Sequence, residues 1–177
     1  MFQLIQISPE AQKMRSLILS ISIILAVVIQ ATWLPAIQLP GQVTPDLILI
    51  MVVSVGLLRG PDQGLFFGAI SGLLLDLLSG HIIGVQALSK MALGFCAGFM
   101  EKNIFKDNVL VPAMTVFGAT LVFESFNIFL YMAFHANYNF LSTFLSTIVP
   151  LAFYNALCTP LIYYLILKME RWMVERA

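Results

Sequence analysis

Charge is what this sequence has least of. Only 10% of its 177 residues are charged, against roughly 25% in a soluble domain. That is too little to cover a water-facing surface, and it excludes a soluble globular fold. The net charge is zero, so there is no basic stripe for nucleic acid. Cysteine is scarce too. Cys96 and Cys158 stand inside apolar runs without CxxC spacing or a nearby histidine pair, and they read as small buried hydrophobes. The two histidines, His81 and His135, belong to no HExxH pattern, which leaves no patterned metal site. There is no GxSxG, no serine–histidine spacing and no glycine-rich phosphate loop. No catalytic residue, metal or cofactor is therefore expected, and the chain is not expected to be an enzyme.

What the chain does have is apolar sequence. Hydrophobic residues make up 60% of it, and its mean hydropathy is +0.94. The expected fold is an all-α integral membrane protein: one membrane domain over residues 1–177, a bundle of six transmembrane helices. The spans fall at about 17–34, 45–58, 63–79, 84–100, 109–134 and 140–167. The first is read as an uncleaved span, because Ala31 to Pro35 offers no small-x-small cleavage site. The second is short of the roughly 20 residues that cross a bilayer, so its neighbours must shield it. Pro150 and Pro160 predict kinks in the last span. The polar tails, 1–16 and 168–177, are short and are expected to lie in water or among head groups.

Orientation follows from the basic residues. Lys13, Arg15, Arg59, Lys102, Lys106, Lys168, Arg171 and Arg176 all fall on one side of this six-span layout. By the positive-inside rule that side is cytoplasmic, and both termini lie there. The ninth basic residue, Lys90, sits inside span four.

Span three carries Gly64, Gly68 and Gly72, then Asp76 at the same helical phase; span four repeats the theme with Gly94 and Gly98. Glycines four apart bare one face of a helix so that a neighbour can approach closely. They serve internal packing or a partner interface. Asp76 lies about 5 Å and Lys90 about 9 Å below the outer ends of their spans, at about 1.5 Å per residue. These depths suit an ion pair across the hairpin, or separate hydration at the interface. Glu124 lies about 22 Å along span five at the same rise, and shares a face with Asn127 and Tyr131. Asn155 is near the middle of span six. Glu124 reads as hydrogen-bonded glue, to Asn155 or another bundle residue, before it reads as a proton relay.

Between Pro45 and Gly98 stand Pro45-Asp46-Leu, Arg59-Gly60-Pro61, the Gly64/Gly68/Gly72 ladder, Asp76-Leu-Leu-Ser-Gly80, Gly84 and Ala87-Leu88. On these residues the sequence resembles the rod shape-determining MreD family of bacteria. It implies a multi-pass protein of the bacterial inner membrane, working without catalysis in the cell-elongation machinery (the elongasome). Its implied partners are an MreC-like membrane protein and, indirectly, MreB-like filaments and the peptidoglycan synthases of the lateral wall. The family is also similar in fold to the S components of energy-coupling-factor transporters, and the alternative reading is a solute-binding or transport protein of that kind. Beyond the lipid bilayer itself, a homo-oligomer is a further partner class left open. Glu124 and Asn155 inherit no role from the family.

Overall fold

The computed structural model describes residues 9–32, 43–79, 83–100, 109–134 and 139–175. The elements among them are helical. Helix α1 is Pro9–Thr32, α2 is Leu47–Arg59, α3 is Pro61–Ser79, α4 is Val85–Phe99 and α5 is Leu110–Phe134. The last helical stretch begins as α6, Phe140–Thr143, passes through a π-helical segment, Phe144–Ile148, and continues as α7, Val149–Glu175. Gly80, His81, His135 and the charges of the 101–108 loop lie outside the described residues.

Several boundaries differ from the sequence expectation. Helix α1 starts at Pro9, well inside the expected polar tail; proline is at home at a first helical position, where its missing N–H costs nothing. Helix α7 runs on to Glu175, through a tail expected to be only polar. Lys168 to Glu175 contains no glycine or proline, so nothing in it stops a helix. Pro150 does not break the last helix either. It stands two residues after the end of the π segment, where the wider turn relieves the clash of its ring with the preceding turn.

Helix α2 occupies the middle of the bundle and touches α1, α3, α4, α5 and α7. Of its residues from Ile48 to Leu58, all but Met51 are buried. That explains its composition: a helix apolar on every side is one enclosed on every side. At 13 residues it is about 20 Å long, short of the roughly 30 Å hydrocarbon core. It lies along the middle of α7, tied by Asp46 to Asn155 at one end and by Arg59 to Glu170 at the other. The stretch from Phe140 to Tyr154 and the second half of α5 therefore continue beyond the start of α2. Two stretches, Leu110–Leu130 and Phe140–Trp172, are long and apolar enough to cross a membrane.

One residue, Gly60, separates α2 from α3. Its φ of 90° favours glycine, and Pro61 starts the next helix at once. From there α3 and α4 run antiparallel with their backbones in contact. A Cβ on Gly64 would stand 2.3 Å from the Gly94 carbonyl oxygen, on Gly68 2.1 Å from that of Lys90, and on Gly72 2.5 Å from that of Gln86. Gly98 faces the Gly60–Pro61 backbone, and Gly56 of α2 faces Gly94. The ladder is the α3–α4 seam, and its register is regular: four residues up α3 match four residues back along α4.

Candidate functional site

Asp76 takes the next rung of that ladder. Its carboxylate accepts hydrogen bonds from the backbone N–H groups of Gly84 (2.8 Å), Gln86 (3.1 Å) and Ala87 (3.1 Å). Gly84 is the N-cap of α4, with φ 103°, and has no side chain to cap with. Asp76 supplies the missing acceptor from the neighbouring helix, where a negative charge also suits the positive end of the helix dipole. Asp76 and Gly84 thus form one capping device that closes the α3–α4 hairpin.

Lys90 pairs with Asp46, not with Asp76. Its Nζ lies 2.6 Å from Asp46 Oδ2 and donates to Gln86 Oε1 at 3.1 Å. The register explains the difference from the expected hairpin pair. Lys90 lies opposite Gly68, eight residues before Asp76, or about 12 Å along the helix. Its side chain is 2% exposed and that of Asp46 14%. Asp46 is also the N-cap of α2: its Oδ1 accepts from Leu49 N–H at 2.9 Å and from Gln30 Nε2 at 3.2 Å. Gln30 in turn accepts from Ile48 N–H. The end of α1, the start of α2 and the middle of α4 converge on one carboxylate. Pro45, buried beside it, brings the chain to this cap.

The network continues into α5 and α7. Asn155, fully buried, accepts from the Asp46 N–H at 2.8 Å and donates to Thr120 Oγ1 at 3.1 Å. No Glu124–Asn155 bond is seen; of the two alternatives expected for Glu124, its side-chain hydrogen-bond partner is another bundle residue, Asn127 on the same helix. Ser89 donates to the Asn127 side-chain oxygen, joining α4 to α5. Glu124 lies between Thr120 and Asn127 on the same face of α5 and is half-buried. It is within electrostatic reach of Lys90 and Asp46. The side chain of Tyr131 lies outside the described residues. At the opposite end of α2, Arg59 forms an ion pair with Glu170.

Gln30, Gln86, Ser89 and Thr120 are members of this network that sequence reasoning passed over. Two of them had a signal: Gln86 stands four residues before Lys90, and Thr120 four before Glu124, so each shares a face with its charged neighbour. Chemically, the assembly binds helices to one another. It places no nucleophile beside a base, and among the described residues no group of three histidine, cysteine or acidic side chains could hold a metal.

The model of the rod shape-determining protein MreD family matches residues 11–173. The chain belongs to the MreD family. No curated protein and no solved structure matches it. Membership of the MreD family points to a role in rod shape determination. The positions that carry the MreD resemblance have structural work here: Asp46 caps α2, Gly60 and Pro61 make the α2–α3 turn, the glycines build the seam, and Asp76 with Gly84 closes it.

Proposed function

We propose that the chain is a non-enzymatic scaffold of the bacterial inner membrane: one domain, six spans, both termini cytoplasmic. It serves rod-shape elongation by binding the transmembrane helix of an MreC-like protein, and through it links MreB-like filaments to the peptidoglycan synthases. The observation that carries this is the family match over residues 11–173. The distribution of side chains supports it. The ion pairs Arg59–Glu170 and Lys90–Asp46 lie inside the bundle, whereas large apolar side chains face outward on the described helices: Ile24 and Leu25 on α1, Leu77 on α3, Phe129 on α5 and Leu157 on α7 are more than half exposed. A polar interior with an apolar surface suits lipid and partner helices.

Depletion of the protein should turn rod-shaped cells round, and a detergent pull-down should recover the MreC-like protein. Normal rods together with an empty pull-down would overturn the proposal. The solute-binding alternative would require a small molecule to copurify with the protein.

A further inference from the structure

Lys90 donates two of its three ammonium hydrogens, to Asp46 Oδ2 and to Gln86 Oε1. Gln86 is on the same helix, one turn away, and moves with it. Asp46 holds two further donors, Leu49 N–H and Gln30 Nε2, so its carboxylate is not held by Lys90 alone. Glu124 stands between two anchors. One turn to one side is Thr120, bonded through Asn155 to the Asp46 N–H. One turn to the other is Asn127, bonded to Ser89, the residue before Lys90. Glu124 is thus an acid on the inner face of α5, flanked by one contact that leads to the Asp46 backbone and one to the residue before Lys90, and it lies within electrostatic reach of Lys90 itself. A lysine stem of four methylenes lets its ammonium swing several ångströms without moving the backbone.

We propose that Glu124 is a second seat for the Lys90 ammonium, so that one cation is shared between α2 and α5. Seated on Asp46, Lys90 ties α4 to the start of α2. Seated on Glu124, it ties α4 to α5 and leaves the start of α2 held by Gln30 and Asn155. The device couples α5, which is among the described residues one of two helical stretches long and apolar enough to span a membrane, to the enclosed helix α2. A partner pressing on α5 would be felt at the α1–α2 junction, 78 positions earlier in the chain from Glu124 to Asp46.

The test is a mutant cycle on the full chain purified in detergent, read as thermal midpoints. Asp46→Asn keeps a capping side chain for Leu49 and removes the charge. It should lower the midpoint moderately, because Lys90 moves to Glu124. Glu124→Gln should change it little. The double variant removes both proposed seats and leaves the buried cation only Asp76, whose oxygens are held by the α4 amides, and its loss should clearly exceed the sum of the two single losses. Adding Lys90→Met to the double variant should recover much of that loss, which keeps the test decisive where the double variant folds poorly. Additive single effects, or no recovery on removing Lys90, would overturn the proposal.

Discussion

At the scale of the residue, Asp76 does the most for its size. Three α4 amides depend on its two oxygens, and hydrogen bonds to a charged acceptor contribute about 1.5–3 kcal/mol each when isolated. These three share one acceptor group and are not additive. Asp76→Ala should therefore cost about 2–4 kcal/mol in all, and Asp76→Asn less, since one acceptor oxygen remains. Thermal unfolding of the purified protein checks both; an alanine variant as stable as the parent would refute the capping role. Asp76 was conspicuous in the sequence because an acid on a bare glycine face needs a partner. Its partner was not legible, because backbone amides leave no trace in residue type. Lys90 was visible for the same reason as Asp76, but depth alone could not choose between two acids that both lie near helix ends. The α3–α4 register makes that choice, and it follows from which glycine meets which carbonyl.

At the scale of the element, the glycines divide into two kinds. Those of the α3–α4 seam have no room: a methyl at Gly68 would meet the Lys90 carbonyl oxygen at 2.1 Å. Gly118 on α5 would meet nothing within 4 Å. Gly68→Ala should force the two helices apart and cost about 1–3 kcal/mol or more, the usual range for overpacking. Gly118→Ala should be neutral or gain up to about 1 kcal/mol, the helix-propensity difference. Parallel unfolding curves separate these outcomes, and equal effects at the two sites would show that the seam is not in backbone contact. The spacing of Gly64, Gly68 and Gly72 could be read directly from the sequence, since a four-residue repeat of bare positions has one geometric meaning on a helix. The enclosed position of α2 could be read only in part. Its short apolar run asked for shielding, but which helices shield it depends on contacts between distant parts of the chain. Pro150 shows the limit of local rules: proline suggests a kink, and a π-helical segment absorbs it.

At the scale of the whole molecule, polar contacts link four helices to α2 at its two ends: α1, α4 and α7 at the Asp46 end, α7 again at Arg59, and α5 through Asn155. A buried ion pair of this kind is weak evidence of added stability, but losing one partner typically costs about 3–5 kcal/mol. Its value is positional: it specifies where α2 begins within the bundle. With these polar groups engaged between helices, the exposed positions left on the described helices are largely apolar, and in the proposed scaffold a partner helix would pack on them. The most direct measurement is in-cell photocrosslinking from exposed positions along α1, α3, α5 and α7, such as Leu25, Leu77, Phe129 and Leu157. A membrane scaffold should capture the MreC-like protein from consecutive turns of one helix face while the cells remain rods. Functional rods with no such capture from any of these faces would contradict it.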